Sequence, residues 1–295
     1  MEDIRQEFVG MMNRLTKKNA KLSDVVLTKD LEKSCAEIQR AIMPYLSVDI
    51  KKGYEPCPFY FSGSDKLAEM VFVGLNPGNP LKIWKQFSAD STWEELAEFC
   101  APAKGILADE DNGYQYVAKN IDSNRYYQIV LLIHQALFGN AVYDEWSQLQ
   151  QKIGKDNIGR FFLDCFSEHP ILNADLLPYK SSSAAFSVAK LAQDEGGSAY
   201  MDGLVELIQS KSTKDAYVIF FGAPKAVMNI LEKRLSSQLE KEWEERTLCS
   251  LSGKKTFSVF FNKWKQRKLI LSPFCGRRNG CYKVSELKKN VKQYF

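Results

Sequence analysis

Histidine and closely spaced cysteine pairs are scarce in this sequence. Its 295 residues include two histidines, His134 and His169, and seven scattered cysteines that form no Cys-x-x-Cys pair. An odd, scattered set of cysteines is typical of reduced thiols rather than of a secreted disulfide framework, and so few histidines disfavour a Cys/His zinc site. We therefore expect no metal, with Cys275 and Cys281, the closest pair, as the weak alternative.

Long apolar runs, repeats and low-complexity segments are also missing. No run approaches the roughly 18 apolar residues of a membrane span. The first residues are charged and lack the apolar core of a signal peptide. With 45% hydrophobic and 26% charged residues, the composition is that of a globular protein. These features predict a soluble, cytoplasmic protein with no membrane partner.

The common phosphate-binding signatures are not present. Glycines stand at positions 74 and 78, but no Gly-Lys-Ser or Gly-Lys-Thr follows, and the spacing is not that of a dinucleotide fingerprint. The backbone N–H groups of this tight turn could still face a ligand, although a strand followed by Asn-Pro-Gly is often only a turn.

Short apolar runs that alternate with helical patterns predict the fold. Four runs rich in β-branched and aromatic residues read as strands, at 69–75, 170–177, 216–221 and 268–271, with an extra strand at 256–261. Four such strands separated by helices predict an α/β fold with a four-stranded parallel sheet sandwiched by helices, and ligands at the carboxyl ends of the strands. Helices are predicted over 116–138, from 182 or 183 onward, over 225–231 and over 286–292. Helical spacing in residues 1–60 predicts a helical N-terminal extension to a domain over 61–295.

Positive charge is concentrated at one end of the chain. Residues 252–295 hold nine lysines and three arginines against one acid, Glu286, a net charge of +11, whereas the whole chain carries +4. A basic end on an acidic body indicates a surface that faces a polyanion. The alternative is a solvated, lysine-rich terminal helix.

Taken together, the strand ends resemble the uracil-DNA glycosylase superfamily. The segment 73–78 looks like the first motif of its mismatch-specific branch, which includes the thymine-DNA glycosylases. Segments 172–177, 218–224 and 271–273 are similar to the second strand, the third strand with its turn, and the loop that enters the DNA minor groove. The resemblance covers roughly residues 65–285 and implies a monofunctional DNA glycosylase with no cofactor.

The resemblance implies that Asn76 is the catalytic residue, positioning a water on the anomeric carbon of the target nucleotide. An amide cannot accept the proton, so catalysis would rely on orientation and on stabilisation of the departing base. The backbone amides of residues 75–78 would help to stabilise its negative charge. The alternative is that Asn76 only caps the turn.

Further positions are implied to bind the extruded base. Asn173 would hydrogen-bond its edge, since an amide offers both an acceptor and donors, although a structural hydrogen bond is the alternative. An aromatic ring would replace the lost stacking, with Phe87 as first candidate and Trp84 as its competitor. The full set of implied base-binding residues is Leu75, Pro77, Gly78, Phe87 and Asn173.

Two departures from the strictly uracil-specific branch bear on the substrate. Gly78 stands where that branch has a bulky tyrosine that blocks position 5 of the ring, so thymine or 5-modified cytosines should be tolerated. The histidine that opens that branch's last motif is replaced by Leu271 or Ser272, as expected of the mismatch-specific branch. That loss also leaves a weak or inactive relative open. His134 and His169 are expected to be structural.

The DNA contacts are implied at the later strand ends. Arg277 and Arg278 would fill the gap left by the flipped nucleotide or clamp phosphates, with a plain basic loop as the alternative. Lysines and Arg267 around Trp264, before the last strand, could also grip phosphates. The implied DNA-binding set is Lys180, Ser181, Ser272, Pro273, Arg277, Arg278 and Asn279.

Two functions from other classes remain open. A non-catalytic nucleic-acid-binding protein would keep the fold and the basic loop. A small-nucleotide-binding α/β enzyme would show no dependence on the arginines and little salt dependence. The glycosylase is expected to excise uracil, mismatched thymine or a 5-modified cytosine, including the hypermodified cytosines of some phage DNA, which would be a defence role.

Overall fold

The computed structural model describes residues 66–74, 117–176, 195–240, 242–273 and 282–295. The helical extension predicted for residues 1–60, and the helix predicted from 182 or 183 onward at its start, lie outside these ranges.

Six strands form one mixed sheet in the order β2-β1-β3-β6-β5-β4. Strand β2 pairs with β1, β1 with β3 and β3 with β6 in parallel, while β5 and β4 continue the sheet antiparallel beyond β6. The strand bounds are β1 Ala68–Gly74, β2 Ile171–Asp175, β3 Ser212–Phe221, β4 Glu244–Cys249, β5 Thr256–Trp264 and β6 Arg267–Ser272.

The α/β class is confirmed, but the sheet has six strands and is mixed, whereas a four-stranded, all-parallel sheet was predicted. The four strands predicted from the apolar runs do lie side by side and parallel. The segment after β3 then returns as a β4–β5 hairpin and pairs antiparallel along β6. Strand β5 was expected as an extra strand. Strand β4 was not, because its Glu-Glu-Arg-Thr start is polar and exposed, and it buries Leu248 alone.

Helices flank the strands in the part of the chain that is described. Their bounds are α1 Arg125–Phe138, α2 Trp146–Ile153, α3 Ile158–Glu168, α4 Glu195–Lys211, α5 Pro224–Leu235 and α6 Val284–Tyr294. The helices predicted over 225–231 and 286–292 are confirmed as α5 and α6, each somewhat longer. The single helix predicted over 116–138 is interrupted by a turn at Asn120 and a 3-10 turn at Ile121–Ser123. There the Asn124 side chain accepts a hydrogen bond from the Tyr127 N–H and starts α1.

Both faces of the sheet are covered, as the apolar runs predict. One face, which we call face A, carries Phe72, Ile219 and Ile270 in one row across β1, β3 and β6. These side chains belong to the main core cluster together with residues of α1, α3 and α6. On the opposite face, Phe220 borders a small space lined by apolar side chains of α4 and α5.

The parallel strands end at one edge of the sheet, which we call the carboxyl edge. Gly74, Asp175, Phe221 and Ser272 are the last residues of β1, β2, β3 and β6, and the register aligns them in one row. After β1 the chain continues to β2, on one side of β1. After β3 it continues in the opposite direction, toward β6. This makes the gap between the ends of β1 and β3 a topological switch point, the place where open α/β sheets bind ligands.

Candidate functional site

Asn173 is the one implied base-binding residue that the structure describes. It stands on β2 opposite Phe72, two rows below the carboxyl edge, and is only 5% exposed. The Tyr126 hydroxyl of α1 donates a hydrogen bond of 2.6 Å to its Oδ1. A buried amide needs such partners. The sequence left a structural hydrogen bond open as the alternative to base recognition by Asn173. Such a bond is present, and its partner lies on a helix rather than in a loop.

Tyr126 was not singled out by the sequence, and it links Asn173 to the aromatic side chains of face A. Its ring meets Phe221 edge-on with centroids 6.1 Å apart, and Phe221 stacks on Phe72 at 5.7 Å. The sequence offered little basis for predicting this contact, because an apolar helix that begins Arg-Tyr-Tyr does not indicate which tyrosine faces a strand end. The result is an amide whose direction is fixed by a phenol held among rings.

We expect Tyr126→Phe to release the Asn173 amide while leaving the packing intact. Loss of one hydrogen bond should lower the free energy of unfolding by about 1 kcal/mol, more if the Asn173 oxygen stays buried without a partner. Urea unfolding measures the loss. Tyr143→Phe, at a half-buried tyrosine packed against the same core, is the matched control and should change less. Equal effects of the two substitutions would show that the bond is not made in solution.

The turn after β3 has an unusual backbone at the carboxyl edge. Gly222 has a φ of 86° and Ala223 a φ of 44°, and the Gly222 N–H donates 2.7 Å to the Ser272 carbonyl at the end of β6. A residue with a Cβ in the left-handed region costs about 1–2 kcal/mol. Such strain tends to occur at functional sites. The turn leads into α5 beside the topological switch point, with Pro224 as the first residue of the helix.

Ser272 lies beneath the surface rather than on it. Its side chain is fully buried, with Oγ 3.0 Å from the Tyr282 hydroxyl and 3.1 Å from the Pro273 carbonyl. This places a structural pair between the end of β6 and the start of the segment that leads into α6. Contact between the Ser272 side chain and DNA would require it to leave the core. Pro273, the next residue, is half-buried.

The other implied site residues lie outside the described ranges. They are the catalytic Asn76, the base-binding Leu75, Pro77, Gly78 and Phe87 with the competing Trp84, and the DNA-binding Lys180, Ser181, Arg277, Arg278 and Asn279. What the structure describes are the strand ends from which these segments leave. Their roles stay predictions.

The basic residues around Trp264 do not belong to this edge. They stand at the turn from β5 into β6, at the opposite edge of the sheet, where β6 begins. Arg267 is 6% exposed and donates to the Gln209 carbonyl and to the Ser212 carbonyl and hydroxyl. Lys263 pairs with Glu240 at 3.3 Å. The length of β6 therefore separates this group from the carboxyl edge, and its contact with phosphates stays a prediction.

The two histidines form a contact pair near the start of β2, as expected of structural residues. His134 on α1 is 1% exposed, and its Nε2 lies 3.0 Å from the His169 carbonyl. The His169 ring stacks on Phe138 with centroids 4.3 Å apart, and its Nδ1 lies 2.9 Å from the Glu69 carboxylate. Burial lowers the pKa of His134 from 6.5 to about 4.

Acid should destabilise the protein through His134. The folded state keeps this imidazole neutral down to about pH 4, while the unfolded chain binds a proton near pH 6.5. Stability should be unaffected by this group above pH 6.5 and fall as the pH drops from 6.5 to 4, by up to about 3 kcal/mol. Urea unfolding at pH 7.5 and 4.5 measures the change. His134→Phe should reduce the difference between the two pH values, and an unchanged difference would assign the acid sensitivity to other groups.

Comparison with models of known protein families, with curated proteins and with solved structures finds no match to this chain. Among the described residues, no cluster of three or more His, Cys, Asp or Glu side chains could hold a metal ion. In the same part of the chain, every helix is too short or too polar to cross a bilayer.

Proposed function

We propose that the protein is a monofunctional DNA glycosylase that flips out a pyrimidine nucleotide and hydrolyses its N-glycosidic bond. One observation carries the proposal: the four segments that resemble the uracil-DNA glycosylase motifs begin on four adjacent parallel strands and run to or past their carboxyl ends. The order β2-β1-β3-β6 brings these ends to a single edge, as the resemblance requires.

The chemistry follows from the residue types at that edge. Asn76, two residues past the end of β1, would orient a water onto the anomeric carbon. The water oxygen forms the new bond to that carbon, and the N-glycosidic bond breaks with its electrons staying on the base. Backbone N–H groups of residues 75–78 would stabilise the charge of the departing base until it takes a proton. The products are a free base and an abasic site.

Base recognition would use side chains near the carboxyl edge. Asn173 supports this role because its amide is buried, is hydrogen-bonded by Tyr126 and lies two rows below the carboxyl edge. Gly78 leaves the position-5 side of a pyrimidine open, so uracil, mismatched thymine and 5-modified cytosines all belong to the proposed substrate range. Hydroxymethylated or glucosylated cytosine of phage DNA is the most specific member, and its excision would act as antiviral defence.

The test is a base-release assay on a panel of oligonucleotides, followed by alkali to cleave abasic sites. The panel contains uracil, a thymine mismatch, and 5-hydroxymethyl and glucosylated cytosine, each in single- and double-stranded form. Release from one class would support the proposal and identify the substrate. If the protein binds every oligonucleotide but releases no base, a non-catalytic nucleic-acid-binding protein replaces the enzyme.

A further inference from the structure

The β4–β5 hairpin projects at the carboxyl edge. Phe260 pairs with Leu271 in the antiparallel register, so Ser258 reaches the level of Pro273. Strand β5 begins two residues earlier, at Thr256, and therefore extends past the end of β6. The turn of the hairpin, residues 250–255, therefore stands beyond the end of β6, at the carboxyl edge of the sheet.

This turn is closed by its own hydrogen bonds. The Ser250 N–H donates 2.7 Å to the Lys255 carbonyl, and the Lys255 N–H donates 3.0 Å to the Ser250 hydroxyl. Gly253 supplies the positive φ, 70°, that the tip requires, and its N–H donates 2.9 Å to the Ser250 carbonyl. The tip therefore has a defined shape and does not depend on a partner to hold it.

The hairpin is also fastened to the end of β6 through Tyr282. Ser250 forms an antiparallel bridge with Tyr282, and the Tyr282 hydroxyl lies 3.0 Å from Ser272 Oγ. The Lys283 N–H donates 3.0 Å to the Cys249 carbonyl, so the residue before α6 is bound to the end of β4. These contacts hold the hairpin, Lys283 and the end of β6 together as one unit.

The tip of the hairpin, residues 250–255, carries positive charge only. Lys254 and Lys255 are exposed at its tip and Lys283 is half-buried beside it, and no described acid pairs with any of the three. Two acids near Lys283 make other hydrogen bonds: Glu286 accepts from the Cys249 N–H and Asp144 from Ser285. The acids of the hairpin segment gather at the far end, at Glu240, Glu242, Glu244 and Glu245.

We propose that this lysine arm, Lys254 and Lys255 on the turn together with Lys283, binds the phosphate backbone of duplex DNA beside the base-excision site. The location of that site rests on the proposed function; the charge and the shape of the arm do not. The exposed part of the tip, residues 252–256, holds no apolar side chain, and the nearby Leu251 packs against the core. A surface that only offers cations to a polyanion fits DNA better than a lipid bilayer, which apolar side chains would enter.

The experiment measures the salt dependence of binding to an undamaged duplex, so that it does not require excision. The variant is Lys254→Gln/Lys255→Gln in the full-length chain, and its control is Lys214→Gln/Lys233→Gln, an equal loss of charge at exposed lysines near the opposite edge. At 0.1 M salt we expect the arm variant to bind the duplex about tenfold or more weakly than the wild type. The negative slope of log K against log salt should be smaller in magnitude by roughly 1–2. The control should match the wild type.

Each outcome decides one proposal or the other. Equal slopes for the arm variant and the wild type, or a wild type that does not bind duplex at low salt, would overturn the lysine arm. Loss of binding to anionic lipid vesicles with unchanged duplex binding would overturn it as well, in favour of a membrane surface. If the arm variant loses duplex binding while the wild type releases no base from any oligonucleotide, the arm stands and the glycosylase proposal fails.

Discussion

Asn76→Ala should slow base release by about 10²- to 10³-fold, the range found when a group that orients a reactant or stabilises developing charge is removed. Duplex binding should change little, since phosphate contacts supply most of the affinity and come from other residues. Single-turnover rates with the enzyme in excess, on the oligonucleotide that the panel identifies, measure the chemical step apart from product release.

Asn79→Ala is the matched control, because it makes the same change three residues later in the same segment, at a position with no assigned role. It should keep most of the rate. An Asn76→Ala protein that releases base at the wild-type rate would remove Asn76 from the catalytic role. A protein that loses duplex binding together with the rate would instead make Asn76 a binding or folding residue.

Arg267→Met should be the most destabilising single change among the described residues that we consider. The guanidinium is almost fully buried and bonds to the Gln209 and Ser212 carbonyls, and it lies 5.6 Å from the Trp264 ring centroid. Methionine fills much of the space but removes the donor that Arg267 supplies to both carbonyls. We expect the free energy of unfolding to fall by about 2–4 kcal/mol, which the urea midpoint reports.

Lys268→Met is the control for Arg267→Met, because it removes the same charge from the next residue. Lys268 is half-buried with its ammonium 4.3 Å from the Tyr217 ring centroid. Loss of that contact should cost at most about 1 kcal/mol. If the two substitutions cost the same, the hydrogen bonds of Arg267 contribute nothing beyond its charge.

Strands buried on both faces could be predicted because their sequences are almost uniformly apolar. Residues 70–73 of β1 are all fully buried, and that run stands out without any knowledge of the fold. Strand β4 could not be predicted in this way, since its residues 245–247 face solvent at the outer edge of the sheet. Its place is decided by pairing with β5, a contact that leaves no apolar pattern in the chain.

Side-chain partners across elements were harder to predict than the elements themselves. The sequence indicated that Asn173, in an apolar strand, must find a partner, but not that the partner is Tyr126, 47 residues earlier. Arg267 looked like one of several surface cations, and its burial depends on the junction of α4 and β3 packing against the start of β6. Charge alone does not distinguish a lysine that meets solvent from an arginine that caps carbonyl groups.

The position of β1 inside the sheet has a consequence for how the chain folds. Met70 pairs with Ile171 on one side and with Tyr217 on the other. On the ribosome, β1 therefore emerges about a hundred residues before its first strand partner, as an apolar segment with open edges. Pairings this distant in the chain are slow to form and leave such segments prone to aggregation. Assembly of β1 between β2 and β3 is thus expected to limit the folding rate, and the lysines of the late hairpin are synthesised only after all three strands.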